Sequence, residues 1–139
     1  MSKLGNIILG AALAGVGAVS AAAATDYTAL REDAYIHERL LIAAKAWYLA
    51  EKCPDLAPYK LAALPTMLRM KSHASKLGYS TAEMSAYIDS KEEQARFRVL
   101  VEPWAESLGA MPGQPETYCA VGRAEMEERT YVGRLLRER

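Results

Sequence analysis

The sequence predicts an all-α fold, a small bundle of five to six helices held by one disulfide and preceded by a signal peptide. Apolar residues recur at helical spacing through most of residues 25–139, and no segment alternates apolar and polar residues for long enough to indicate a half-buried strand. Glycine, proline and capping signals separate these periodic segments. The two cysteines, Cys53 and Cys119, supply the expected disulfide.

The N-terminal segment has the order of a secretory signal. Lys3 precedes an uncharged, Ala- and Gly-rich stretch, Leu4–Ala24, which ends in the small-residue site Ala22-Ala23-Ala24. This order predicts a signal peptide over residues 1–24 with cleavage after Ala24, a single helical domain over residues 25–139, and a periplasmic location. The alternative is that the 21 uncharged residues are retained and span a bilayer as an anchor.

Export would place the two cysteines in an oxidising compartment. An even pair is then expected to form one disulfide, Cys53–Cys119. Two separate buried thiols are the alternative. A catalytic dithiol is not indicated, because the residues after Cys53 do not form a Cys-x-x-Cys motif.

The charges are balanced and interspersed, with 17 Lys and Arg against 17 Asp and Glu. Nucleic-acid binding needs a clearly basic face, so this balance predicts no nucleic-acid partner. The sequence also has no polybasic run of the kind that attracts anionic lipid. We therefore expect a membrane contact only if residues 4–24 are retained as an anchor.

The first two helices are predicted at Thr28–Lys52 and at residues 65–77. Pro54 stops the first, because proline cannot continue the helical hydrogen bonds. Pro65 suits the first turn of the second, and Gly78 suits its end. The apolar side of the second helix is expected to consist of Leu64, Met67, Leu68, Ala74 and Leu77.

The remaining helices are predicted from caps and breakers. Ser80-Thr81-Ala82-Glu83 has the form of a capping box and opens a third helix. Asp89 and Ser90 repeat that start signal and open a fourth, which Pro103 kinks or splits. Pro115 starts a fifth helix that carries Cys119. A last short helix is expected over Thr130–Arg137.

Histidine is scarce, and neither His37 nor His73 has the spacing of a zinc or di-iron site. Met67, Met70 and His73 fall three residues apart on the predicted second helix, and thioether and imidazole ligands suit Cu(I). Methionine is also an ordinary core residue. Core packing is the main interpretation of these three residues, and periplasmic copper handling is the alternative.

The sequence carries no pattern of a catalytic or cofactor site. It has no Gly-x-Ser-x-Gly turn and no glycine-rich phosphate loop. We therefore expect a protein that is not an enzyme and uses no cofactor. Aromatic side chains could surround the disulfide, either as core or as a binding patch rich in Trp and Tyr. These side chains are Trp47, Tyr48, Trp104 and Tyr118.

Three motifs stand in the C-terminal third. They are Gly109-Ala110-Met111-Pro112-Gly113, then Pro115-Glu116-Thr117-Tyr118-Cys119-Ala120-Val121-Gly122-Arg123-x-Glu125, then Gly133-Arg134-Leu135-Leu136. Together with Lys52-Cys53-Pro54 and Leu77-Gly78-Tyr79-Ser80, they resemble an uncharacterised family of small exported proteins from alphaproteobacteria. The resemblance implies a signal peptide, an all-helical domain and paired cysteines, and it carries no known activity. Within the most specific run, Arg123 could bond loop carbonyls or a carboxylate.

These observations predict a periplasmic, non-enzymatic accessory or interaction protein whose partner is another envelope protein. The alternatives are copper handling, a membrane-anchored accessory subunit of an envelope complex, and an enzyme whose site is assembled from scattered carboxylates. The candidate residues for an interaction or scaffold motif are Tyr118, Arg123, Glu125, Trp104 and Trp47.

Overall fold

The computed structural model describes residues 24–139, so the predicted signal peptide and its cleavage site lie almost wholly outside the described residues. The described part is mostly helical, which confirms the predicted fold class. Its elements are α1 (Thr28–Glu32), α2 (Ala34–Lys52), β1 (Leu56–Pro58), α3 (Lys60–Lys76), α4 (Thr81–Asp89), α5 (Lys91–Ser107), α6 (Pro115–Glu127), a 3₁₀ turn (Gly133–Leu135) and β2 (Leu136–Glu138). Within residues 24–139, no helix is both long and apolar enough to cross a membrane.

The predicted first helix is divided at Asp33. The Asp33 backbone is extended, and its side chain accepts a hydrogen bond from the Ile36 N–H, so it ends α1 and caps α2. The prediction of one continuous helix was wrong here, because a short carboxylate competes for backbone donors and favours a helix start. The long helix α2 then lies at the centre of the fold, in contact with α3, α5 and α6.

The second predicted helix begins earlier than expected. Helix α3 starts at Lys60, and Pro65 lies inside it on an exposed position. Pro65 cannot donate to the Leu61 carbonyl, but that position faces solvent, where water can replace the lost bond. The predicted apolar side was also partly wrong, because Leu64, Leu68 and Leu77 are exposed. The residues of α3 that are buried are Met70 and Ala74.

The other helix starts are confirmed. Ser80 and Glu83 form both hydrogen bonds of the capping box at α4. Ser90 caps α5, accepting from the Glu93 N–H at 3.4 Å. Pro115 is the first residue of α6. Pro103 lies within α5, which continues to Ser107 without a split.

The predicted last helix, Thr130–Arg137, is wrong. The chain forms a 3₁₀ turn at residues 133–135 and then β2, which pairs antiparallel with β1 in the register Leu56↔Glu138. Gly133 passes so close to the end of α6 that an added Cβ would lie 2.0 Å from the Glu125 carbonyl oxygen. Extended backbone then turns Leu136 into the core. Strands of three residues are too short to show alternation in the sequence.

Two groups of buried side chains form the core, and α2 contributes to both. The first surrounds the disulfide and includes Tyr48, Leu49, Leu56, Val101, Tyr118 and Leu136. The second includes Leu30, Ile36, Leu40, Met84, Tyr87 and Phe97. The predicted Cys53–Cys119 disulfide is confirmed, with the two Cα atoms 5.0 Å apart, and it joins the end of α2 to α6.

Candidate binding cleft

A cleft of about 930 Å³ runs along α2, between α3 on one side and α4 and α5 on the other. Apolar side chains from three helices line much of it. They include Ile42 and Ala43 from α2, Ala62, Ala63 and Met67 from α3, and Val101 from α5. A concave, mostly apolar surface with a few polar groups is the usual form of a binding site.

Aromatic and arginine side chains gather at the end of the cleft formed by α2, α3 and the C-terminal turn. The Arg39 guanidinium lies 5.5 Å from the ring centre of Tyr35 and 5.6 Å from that of Tyr131. Arg134 contacts the same Tyr131 ring at 5.6 Å. Stacking on aromatic rings orders these guanidinium groups while leaving their N–H groups free to donate.

The cleft has more unpaired positive charge than unpaired negative charge. Four arginines line it, and three of them are Arg39, Arg69 and Arg134. Within residues 24–139, none of the three forms an ion pair with a carboxylate, whereas other arginines of the fold do. Arg134 donates from Nε to the Arg129 carbonyl oxygen at 3.1 Å. The group is therefore able to receive an anionic partner.

Two of the three carboxylates that line the cleft are already paired, and the third, Asp89, forms no ion pair within residues 24–139. Arg98 donates to Glu51 at 2.8 Å. Glu93 is only 3% exposed and accepts from the Arg31 Nε at 2.7 Å. Burial, and then the charge of Glu93, raise the pKa of Tyr87 to about 12, so Tyr87 stays protonated at neutral pH.

One carboxylate oxygen of Glu93 is buried without a hydrogen bond to residues 24–139. Its Oε2 atom has no hydrogen-bond partner among the described residues, although Arg96 Nε lies 3.5 Å away. Glu93 borders the cleft and also a smaller cavity of about 340 Å³ beside His37 and Leu100. A buried carboxylate oxygen in this position can accept a hydrogen bond from water or from a bound group.

The predicted copper residues lie on the inner side of α3. Met70 is buried in the second core group, and Met67 is half-buried at the cleft. His73 is bonded through Nε2 to Asp33 Oδ2 at 2.8 Å. Each side chain therefore has a packing or capping role, and copper binding stays a prediction.

One other group of potential metal ligands in residues 24–139 lies at the disulfide. Among residues 24–139, the His, Cys, Asp and Glu side chains that approach one another closely enough for a metal are Cys53, Asp55 and Cys119. Both sulfurs are bonded to each other. A cysteine binds a metal as its thiolate, so the bonded sulfurs leave Asp55 as the one available ligand of this group.

Most of the predicted interaction residues support the fold. Tyr118 is buried, with its ring edge-on to Tyr48 at 5.8 Å. Burial, and then the neighbouring Tyr118, raise the pKa of Tyr48. Trp104 is partly buried and packs against the core group that surrounds the disulfide. The Lys45 ammonium lies 4.7 Å from the centre of the Trp104 ring. The expectation that aromatic residues surround the disulfide therefore holds for these three.

Arg123 and Glu125 also have structural contacts. Arg123 donates to Glu138 at 2.9 Å and to Asp55 at 3.0 Å, which ties α6 to β2 and to the residue before β1. This is the predicted carboxylate bond. The Glu125 carboxylate accepts from the Thr130 hydroxyl at the end of α6. Among the five candidate residues, Trp47 is the one that lines the cleft.

Sequence reasoning missed the contacts of Arg39 and Arg134 with the Tyr131 ring. Arg39 and Tyr35 are four residues apart on α2, which is a signal that could have been noticed. Tyr131 and Arg134 lie in the segment for which a helix was wrongly predicted. Their approach to α2 depends on the turn after α6, which local patterns do not show.

Fold and cleft together define a small helical domain with one disulfide and a concave surface suited to binding. The family model described as "Family of unknown function (DUF5333)" matches residues 28–137, and the chain belongs to that family. This agrees with the resemblance to an uncharacterised family with one cysteine pair. No curated protein and no solved structure matches the chain significantly.

Proposed function

We propose that the protein is an exported, non-enzymatic accessory protein of the cell envelope that binds a segment of a partner protein in the cleft. The observation that carries the proposal is that one cleft with an apolar floor is lined by Trp47, Tyr131, Arg39 and Arg134. Trp, Tyr and Arg are the residue types that contribute most of the energy at protein interfaces. The apolar floor offers area that a partner can cover.

The charge of the cleft indicates the chemistry of the partner segment. Arg39, Arg69 and Arg134 have no carboxylate partner within the described part of the chain, while Glu51 and Glu93 are paired, so three unpaired positive charges face the single unpaired carboxylate of Asp89. A segment with apolar side chains next to Asp or Glu would fill the floor and pair with the arginines. A separate observation disfavours a nucleic acid, because the chain as a whole has no net charge.

The location is proposed from two features. A disulfide is stable in an oxidising compartment such as the periplasm. The uncharged stretch Leu4–Ala24 has the order of an export signal. Cleavage after Ala24 would release the domain, and retention of the stretch would make it a membrane-anchored accessory subunit.

Site-specific photo-crosslinking in the native cells tests this proposal. A photoreactive phenylalanine analogue replaces Trp47 or Tyr131 in the cleft, and Val99 serves as a matched exposed position on α5 outside the cleft. We expect the same discrete adduct from both cleft positions and not from Val99. Mass spectrometry identifies the partner and the segment that carries the crosslink.

The crosslinked segment is then measured as a synthetic peptide. Trp47→Ala should weaken its binding roughly thirtyfold, the effect of a hot-spot residue worth about 2 kcal/mol. Arg39→Glu with Arg134→Glu should abolish binding, whereas the matched charge reversal Arg137→Glu, on the exposed face of β2, should not. The proposal would be contradicted if the same adduct formed equally from Val99. It would also be contradicted if the peptide bound the cleft variants as tightly as it binds the wild type.

A further inference from the structure

The outward side of α3 exposes an unusual amount of apolar surface. Leu61, Leu64 and Leu68 are 74%, 48% and 59% exposed. Since a helix turns by about 100° per residue, these leucines and Pro65 share one side of the helix. We call these four residues the leucine strip. The cleft lies on the other side of α3, along Ala63 and Met67.

The charges of α3 are all positive. Between residues 60 and 76 the sequence contains four Lys or Arg residues and no Asp or Glu, although the whole chain is neutral. By the same helical geometry, Lys60 and Lys71 border the leucine strip on one side, and Arg69 and Lys76 border it on the other. Within residues 24–139, none of these four forms an ion pair.

The first described residues lie beside the end of α3. The Tyr79 hydroxyl donates to the Asp26 carbonyl oxygen at 2.7 Å, and the rings of Tyr27 and Tyr79 stack 6.0 Å apart. The uncharged stretch Leu4–Ala24 directly precedes these residues in the sequence. The chain therefore enters the domain at the same end as the last turn of α3.

Although the sequence has no polybasic run and predicted a membrane contact only through residues 4–24, helix α3 brings four basic residues to the borders of the leucine strip. We propose that the leucine strip docks α3 along an anionic phospholipid surface. An apolar strip bordered by long basic side chains is the pattern of helices that lie in the membrane interface, where Lys and Arg extend towards the headgroups. The strip is convex, and the charged residues that border it are all positive. A deformable bilayer can cover such a surface, whereas a protein partner would need a matching acidic groove.

This proposal is independent of the cleft. A bilayer under the leucine strip leaves the opposite side of α3 open, so a partner segment and a membrane can be bound together. Arg69 is the residue that the two surfaces share. The test below therefore leaves Arg69 unchanged.

Flotation with lipid vesicles tests the proposal on the protein as purified from cells that export it. One set of vesicles is pure phosphatidylcholine, and the other contains one third phosphatidylglycerol. The apolar variant is Leu61→Gln with Leu68→Gln, and its matched control is Val99→Gln with Leu100→Gln, which changes residues 70% and 47% exposed on α5. Any retained N-terminal segment is common to all variants, so differences between them report on α3.

We expect the wild-type protein and the α5 control to bind the anionic vesicles and to bind neutral vesicles weakly. The Leu61 and Leu68 variant should lose affinity for anionic vesicles by about tenfold or more. A second variant, Lys60→Gln with Lys71→Gln, should lose a similar factor and show a weaker dependence on salt. Circular dichroism and the oxidised state of the cysteines confirm that each variant is folded.

Three results would overturn the proposal. They are equal binding to neutral and anionic vesicles, an α3 variant that binds as tightly as the wild type, and no binding of the wild type to either vesicle. Loss of a protein partner in the α3 variants, with vesicle binding absent throughout, would assign the leucine strip to a protein instead.

Discussion

Asp33 and His73 join the start of α2 to the last turns of α3, with Asp33 Oδ2 2.8 Å from His73 Nε2. The other carboxylate oxygen of Asp33 accepts the Ile36 N–H at 2.8 Å. The Tyr35 ring packs against the imidazole at 4.9 Å. One carboxylate therefore caps a helix and also holds a second helix against it.

The pH dependence of stability should show this double role. Burial alone would raise the pKa of Asp33, but the bonds from His73 and the Ile36 N–H hold it below its ordinary value of 3.8. A carboxyl group with a lowered pKa stabilises the fold above its unfolded-state value, and this contribution is lost as the pH falls through the lower folded value. Asp33→Asn should therefore be less stable than the wild type at pH 7, and the difference should shrink below about pH 4.

Urea unfolding at several pH values measures this difference. Asp33→Ala is the useful comparison, because asparagine can still cap a helix and alanine cannot, at a further cost of about 1 kcal/mol. If the curves of Asp33→Asn and the wild type stay parallel from pH 7 to pH 2, the carboxylate charge has no such role.

Loss of the disulfide should lower stability strongly. The bond joins cysteines 66 residues apart, so it closes a long loop in the unfolded chain and lowers the conformational entropy of that chain. Cys53→Ala with Cys119→Ala should reduce the free energy of unfolding by about 2–5 kcal/mol. Denaturant titration with and without a reductant measures it. A reductant should destabilise the wild type and leave the double variant unchanged, and a reductant-insensitive wild type would contradict the structure.

Gly133 and Gly122 provide a graded test of close packing. An alanine Cβ at Gly133 would lie 2.0 Å from a backbone oxygen of α6, and one at Gly122 would lie 2.3 Å from the Leu56 side chain. Both substitutions should destabilise the fold by about 1–3 kcal/mol. Gly133→Ala should cost more, since a side-chain end can adjust more easily than helical backbone. Thermal unfolding ranks the two, and the reverse order would contradict the described path of residues 130–136.

Arg123 should matter to the strands more than to binding. The carboxylates of Glu138 and then Asp55 raise its pKa, so its charge is constant at ordinary pH. Arg123→Gln should speed amide exchange in β1 and β2 at low salt and leave α4 unaffected. High salt should reduce the difference, because exposed ion pairs are screened. Uniform exchange changes across the domain would argue against a local role.

Local signals in the sequence predicted most helix boundaries. Ser80, Ser90 and Pro115 mark their helices because caps and a first-turn proline act within a few residues. Asp33 had the same cap chemistry, but the apolar pattern continued across it and hid the break. Pro65 was wrongly predicted to start its helix. A proline is tolerated inside α3 because position 65 is on the side of the helix that faces water, and that orientation depends on the tertiary fold.

The cleft could not be predicted from sequence in the same way. Trp47 was a candidate because of its residue type. Arg39 and Arg134 meet over Tyr131 only after the chain has turned behind α6, and that turn is set by tertiary packing at Gly133. Patterns over a few residues carry no information on such distant approaches.

The segment from Cys53 to Pro58 contacts several segments from the C-terminal part of the chain. Cys119 bonds to it, β2 pairs with it, and Arg139 donates to the Leu56 carbonyl across 83 residues of sequence. Contacts across such long loops form slowly, whereas neighbouring helices such as α4 and α5 meet early. Folding should therefore proceed from the middle of the domain, with this six-residue segment closing last. Until then the Leu56 side chain, which is fully buried in the folded domain, stays exposed, so the partly folded chain is open to aggregation.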